Sequence, residues 1–181
     1  PGAFPTVWND HQRFEESYWS EYPGFYLTGD GGYRDEDGYV FVMGRTDDVI
    51  NVAGHRLSTG RIEEVVAEHS AIAECAVVGI ADAEKGQVPV GLLLIKDGVN
   101  LDPETLQAEL VQAVRNAVGP IANFKRALVV ERLPKTRSGK ILRKVIRSMI
   151  DGEPYIVPST IDDPAIVDEL YETLSSQGWI K

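Results

Sequence analysis

The runs Glu74-Cys75-Ala76-Val77-Val78-Gly79-Ile80 and Val88-Pro89-Val90-Gly91-Leu92-Leu93-Leu94-Ile95 decide the fold. Both are dense in β-branched and aliphatic residues and read as strands. The second is the longest apolar run of the chain, and its eight residues are too few to cross a bilayer. On the N-terminal side, Ser58 or Thr59 is placed to cap a helix. Its apolar positions Ile62, Val65, Val66 and His69 follow the i, i+3, i+4, i+7 rule, and Glu63 and Glu64 near its start suit the helix dipole. Further out, residues 38–43 and 49–52 read as two short strands, joined by the polar connection Gly44-Arg45-Thr46-Asp47-Asp48. On the C-terminal side, Asp102-Pro103-Glu104 starts a helix that lines up Leu106, Leu110 and Val114, with Val111 and Val118, until Gly119-Pro120 stops it. Residues 127–130 then read as a strand and residues 141–150 as a short basic helix, in which Arg143, Lys144 and Arg147 form a solvated face. A last helix starts at Asp163-Pro164 and runs to about Ser175. Strands alternating with helices from about Arg45 onward give a small layered α/β domain, with core enough to fold alone.

Residues 1–37 differ. Trp8, Tyr18, Trp19, Tyr22, Phe25, Tyr26 and Tyr33 are broken by Pro23-Gly24 and by glycines at 29, 31 and 32, which resembles the edge of a larger body. Pro1 in place of methionine predicts a cut made in a longer protein. The chain has 181 residues, 43% hydrophobic and 25% charged, which excludes collagen-like and wholly disordered classes. No charged-then-apolar leader opens it, and the single Cys75 reads as a small core residue that closes no internal disulfide. A cytoplasmic protein is expected, or one of the mitochondrial matrix in a eukaryote. His11, His55 and His69 are the only histidines, and they lack zinc spacing.

Charge is unevenly spread. The formal net charge is -10, yet residues 125–147 hold nine Lys or Arg against Glu131 alone. One basic segment in an acidic protein predicts a local anion site, and without interleaved aromatics it argues against a nucleic-acid surface. Within it, Pro134-Lys135-Thr136-Arg137-Ser138-Gly139-Lys140 presents three cations on a small-residue loop with no amphipathic period. The loop is not a P-loop, because that motif needs Gly at 134 and Ser or Thr at 141, which are Pro134 and Ile141. Thr28-Gly29-Asp30-Gly31-Gly32 likewise lacks the spacing of a dinucleotide fingerprint.

Three segments carry a resemblance: Tyr26-Leu27-Thr28-Gly29-Asp30; Gly44-Arg45-Thr46-Asp47-Asp48-Val49-Ile50-Asn51-Val52-Ala53-Gly54-His55-Arg56-Leu57; and Pro134-Lys135-Thr136-Arg137-Ser138-Gly139-Lys140-Ile141. In this order and spacing they resemble the adenylate-forming superfamily of acyl-CoA synthetases, adenylation domains and luciferases, and its acetyl- and propionyl-CoA synthetase branch in particular. The tail Gly152-Glu153-Pro154-Tyr155, then Ser159-Thr160-Ile161-Asp162-Asp163-Pro164, leans toward the propionyl type. The resemblance implies an α+β fold: a small layered C-terminal domain with a short hairpin and a mostly antiparallel central sheet flanked by helices, preceded by the tail of a larger domain. It implies that residues 1–46 end an N-terminal AMP-binding domain and residues 47–181 form the mobile C-terminal one.

The activity implied joins a short-chain carboxylate, propionate or acetate, to CoA through an acyl-adenylate, with ATP, CoA and Mg2+ as cofactors. The fragment alone is expected to be inactive, its main partner being its own N-terminal domain. Asp30 matches the acid that accepts hydrogen bonds from both ribose hydroxyls, a task suited to two carboxylate oxygens facing a vicinal diol. Arg45 matches a second ribose contact and Arg56 a phosphate-side cation. Asp47 matches the hinge. Lys140 matches the catalytic lysine, whose ammonium stabilises charge spread over phosphate and carboxylate oxygens. Ala53, Gly54 and Arg115 match CoA contacts; because many acetyl-CoA synthetases carry Ser where this chain has Ala53, only backbone contact is expected there. Ala67, His69 and Ile72 match a metal site formed by backbone oxygens and a histidine. A regulatory reading adds a protein acetyltransferase and deacetylase acting on Lys140. No nucleic acid or membrane partner is expected.

Overall fold

The computed structural model describes residues 4–181, without the side chains of Met43 and Asp47. The chain divides into two compact units, one ending at Asp47 and one spanning Asp48–Lys181.

In the first unit, Asp10 caps helix α1 (His11–Tyr18) by accepting from the Arg13 N–H at 3.2 Å. Phe14 is buried in an aromatic cluster with Phe4, Tyr18 and Trp19, and Tyr18 stacks on Tyr26 with centroids 5.1 Å apart. Strands β1 (Asp30–Arg34) and β2 (Val40–Arg45) then pair antiparallel, with an irregularity between Gly31 and Gly32. Here the structure corrects the sequence reading twice. Residues 30–34 are a strand and not only turns, and Gly44 and Arg45 extend the following strand instead of opening a connection. Tyr33, Tyr39, Val40, Phe41 and Val42 on this hairpin are exposed.

The second unit contains the strands β3 (Val49–Val52) and β4 (His55–Ser58), helix α2 (Thr59–Ala67), and strands β5 (Ile72–Asp82) and β6 (Gly86–Ile95). Helix α3 (Pro103–Ala117), strand β7 (Arg126–Val129) and helices α4 (Arg143–Ile150) and α5 (Ala165–Ser176) follow. The sheet runs β4-β3-β6-β5, antiparallel throughout, and β7 adds to β6 in parallel. β5 and β6 form its spine and are covered on both faces, which is why they appear in sequence as unbroken apolar runs. Alternation along β5 sends Ala76, Val78 and Ile80 into a core with α4 and α5. Cys75 and Val77 point the other way, into a core with Ile62 and Val66 of α2 and Leu106, Leu110 and Val114 of α3. Burying each such aliphatic side chain contributes about 1.5–3 kcal/mol. Burial, and next the Glu63 carboxylate, push the Cys75 thiol up to about 11, so it stays protonated and inert.

Helix ends follow the expected chemistry in part. Asp102 caps α3 through the Thr105 N–H at 2.9 Å and the Thr105 hydroxyl at 2.8 Å, which holds its carboxyl below the usual range. In α2 the reading needs correction. Ser58 stands at the cap position without a side-chain cap bond, the first turn holds no acid, and the helix stops at Ala67, so His69 lies beyond it. Glu63 faces inward, for a reason given below.

Candidate functional site

In the first unit, register brings Asp30 and Arg45 together as direct partners across β1 and β2. The Arg45 guanidinium donates to the Thr28 carbonyl at 2.7 Å and lies 3.6 Å from the Asp30 carboxylate. Gly29 makes this possible. Its φ is +74°, and a Cβ there would fall 2.6–2.8 Å from the guanidinium atoms of Arg45. The Thr46 N–H and hydroxyl both donate to the Gly29 carbonyl, at 2.9 and 3.0 Å, closing the loop under the pair. Asp30 and Arg45 together present acceptors and donors on one half-exposed patch, the complement of a hydroxylated ligand.

The loop 134–140 is a tight hairpin. Lys135 bridges Ile141, the Thr136 N–H donates to the Lys140 carbonyl at 2.9 Å, and the Leu142 N–H to the Pro134 carbonyl at 2.9 Å. Opposite Thr136, just past the turn, the Lys140 N–H reaches the Thr136 hydroxyl at 3.1 Å. The segment before α5 braces it: the Arg137 N–H donates to the Thr160 carbonyl and the Asp162 N–H to the Lys135 carbonyl, both at 2.9 Å. Of its three cations, Lys135 is tied to Glu74 at 2.5 Å and Arg137 leans on the Ser159 carbonyl. Lys140 is exposed, and among the described residues its ammonium has no partner. A free cation on a pinned backbone is suited to an anionic ligand that comes to it.

Ala53 and Gly54 form the two-residue turn between β3 and β4, with φ of +49° and +87°. Positive φ at both positions is the mirror-image turn that matches strand twist. The Ala53 N–H donates to the Lys85 carbonyl at 2.8 Å, and nothing lies within 4 Å of where a Gly54 Cβ would stand. A left-handed alanine is strained by about 1–2 kcal/mol relative to glycine. Ala53→Gly is therefore expected to raise unfolding free energy by about 0.5–1 kcal/mol in urea titration, the gain being reduced by added freedom in the unfolded chain. A loss of stability would mean that the Ala53 methyl packs.

The lysine hairpin and this turn lie at opposite ends of β5. Lys135 grips Glu74 near its start, whereas Val52 pairs with Gly86, itself opposite Asp82 at its end. Glu74 and Asp82 are eight residue steps apart along the strand, about 26 Å at 3.3 Å per step. Arg56 on β4 and Arg115 in the last turn of α3 are exposed, and among the described residues neither has a side-chain partner. No hydrogen bond or ion pair among the described residues joins Arg115 to the 53–54 turn. Asp47 sits in a short 3-10 turn, Thr46–Asp48, and its side chain lies outside the described residues.

Ala67, His69 and Ile72 fall around the end of α2. The His69 Nδ1 accepts from the Ala71 N–H at 3.2 Å, and its Nε2 lies 2.9 Å from Glu109. Both ring nitrogens are thus engaged, leaving no lone pair for a cation in this arrangement. Among the described residues no group of three or more His, Cys, Asp or Glu is placed to hold a metal.

The sequence reading missed one cluster. Arg143, expected on a solvated helix face, is only 22% exposed and grips Glu63 through two nitrogens, at 2.8 to 3.1 Å. Glu63 also accepts from the Val77 N–H at 2.8 Å, which is why it turns inward from α2. Only the fold joins residues so far apart in sequence.

Residues 61–140 match the family model of the AMP-binding enzyme C-terminal domain. The mitochondrial acyl-CoA synthetase short-chain family member 3 of Mus musculus is 49% identical over 174 residues, 96% of this chain and 26% of its own length. The acetyl-coenzyme A synthetase of Penicillium chrysogenum is 46% identical over 178 residues, 97% of this chain and 26% of its own. Among solved structures, the amide bond synthetase McbA from Marinactinospora thermotolerans is similar with a TM-score of 0.62 at 30% identity, over 80% of this chain and 28% of that one. The chain spans about a quarter of the length of the curated relatives it matches.

Proposed function

We propose that this chain, which belongs to the adenylate-forming superfamily of AMP-binding enzymes, is the C-terminal part of a short-chain acyl-CoA synthetase. Residues 1–46 end its N-terminal domain, residues 47–181 form the mobile domain, and Asp47 is the hinge between them. A carboxylate oxygen attacks the α-phosphorus of MgATP and pyrophosphate leaves; the CoA sulfur then attacks the acyl carbon and AMP leaves. Magnesium arrives with ATP as part of the substrate, and no residue of this chain is assigned to hold it. Asp30 and Arg45 take the ribose, and Arg56 lies on the phosphate side. Lys140 meets the α-phosphate and acyl oxygen as negative charge spreads over them. Backbone at Ala53 and Gly54 passes the CoA arm, and Arg115 takes its nucleotide phosphates.

The observation that carries this reading is the placement of the hairpin bearing Lys140, tied through Lys135 to Glu74, and the Ala53–Gly54 turn at opposite ends of β5. That separation supports a reading in which the domain turns between the two half-reactions and presents a different end to the substrates in each. Propionate is the proposed acid, on the resemblance of the tail to the propionyl type; the Penicillium chrysogenum relative supports acetate as the second reading. The exposed Lys140 ammonium is also open to a protein acetyltransferase, which would abolish its charge. A reducing compartment, the cytoplasm or the mitochondrial matrix, suits the single buried thiol.

The test is pyrophosphate release by the complete protein with ATP and CoA, comparing propionate with acetate. Turnover with propionate at a higher kcat/KM than acetate is expected. Release with neither acid contradicts the reading.

A further inference from the structure

Arg143 lies three residues beyond Lys140, and its pair with Glu63 links α4 to α2. We infer that Arg143 is a positioning residue for adenylation, clamping the Lys140 hairpin to the body of the mobile domain. The inference rests on the synthetase reading above.

Three contacts carry it. Arg143 Nε and Nη2 donate to Glu63 Oε1 at 3.1 and 2.9 Å, and Nη2 also reaches Oε2 at 2.8 Å, so the guanidinium is fixed in orientation as well as position. Glu63 Oε1 also accepts from the Val77 N–H at 2.8 Å, anchoring the pair to the middle of β5. On its other side the guanidinium lies 3.8 Å from the carboxylate of Asp48, the first residue of the unit and the neighbour of the proposed hinge. The hairpin's other foot is fixed to the same strand, through Lys135 and Glu74 at 2.5 Å. Lys140 therefore stands on a support held at both feet to β5, and one foot also approaches Asp48, the residue next to the proposed hinge. Rotation at Asp47 then carries the ammonium as part of one rigid body. A side chain with four rotatable bonds needs such a base to reach the same point at every turnover.

Arg143→Lys keeps the charge and loses the planar fork; Glu63→Gln keeps an acceptor for Val77 and loses the anion. In the complete enzyme each is expected to lower kcat for adenylate formation by about ten- to a hundredfold, the KM for ATP staying within about twofold, since misplacement near 1 Å costs on that order. Thioester formation from supplied acyl-adenylate, a step without Lys140, is expected to stay within about twofold, and the melting transition to remain cooperative. A merely structural role would lower both half-reactions together, and that result overturns the inference. Normal adenylation by either folded variant overturns it too. If that occurs while Lys140→Ala slows adenylation by about 10²–10³-fold, only the clamp is lost. If the wild-type protein adenylates no short-chain acid, the synthetase reading fails and the clamp falls with it.

Discussion

Replacing Lys140 by alanine in the complete enzyme is expected to slow acyl-adenylate formation by about 10²–10³-fold, the range for loss of one preorganised donor at developing negative charge. The side chain is exposed and has no partner among the described residues, so the fold loses nothing by its removal. Thioester formation from supplied acyl-adenylate is expected to survive, because the proposal gives that step to the opposite end of β5. Pyrophosphate exchange measures the first half-reaction and CoA consumption the second. Equal loss in both would remove the assigned role.

The second large effect is expected at Gly29. A Cβ there carries the cost of a left-handed backbone and overlaps the Arg45 guanidinium at 2.6–2.8 Å, so Gly29→Ala must expel that side chain from the Thr28 carbonyl. Hydrogen bonds to charged groups contribute about 1.5–3 kcal/mol each, so the KM for ATP is expected to rise about ten- to a hundredfold. Gly24 separates strain from displacement. Its φ is +85° and nothing lies within 4 Å of its missing Cβ. Gly24→Ala should therefore leave the KM for ATP unchanged. An equal rise in both variants would trace the effect to local unfolding of the first unit and not to Arg45.

What the sequence discloses follows from how locally each feature is determined. β5 and β6 are legible because burial on both faces leaves a continuous apolar run, and α3 because Asp102, Pro103 and one stripe of leucine and valine mark it from cap to face. β1 is not, since Asp30-Gly31-Gly32 reads as a turn until its register with β2 is known. Helix α1 hides for the opposite reason, its polar residues showing only Phe14 as a buried anchor. The Asp30–Arg45 pair and the lysine hairpin are visible as motifs, but the bracing of that hairpin by residues 159–162 depends on tertiary contact. Arg143 looks like an ordinary basic residue on a surface helix. Its fork to Glu63 joins positions 80 residues apart, a distance over which no periodicity or cap carries information.

Everything proposed for the site depends on the Lys140 ammonium reaching a nucleotide held elsewhere in the enzyme. The most direct measurement is a structure of the complete protein bound to an alkyl-phosphate mimic of the acyl-adenylate, in each domain arrangement it adopts. The account predicts Lys140 Nζ within hydrogen-bond distance of the mimic's phosphate or acyl-side oxygen in one of them. Lys140 directed into solvent in all of them would contradict it.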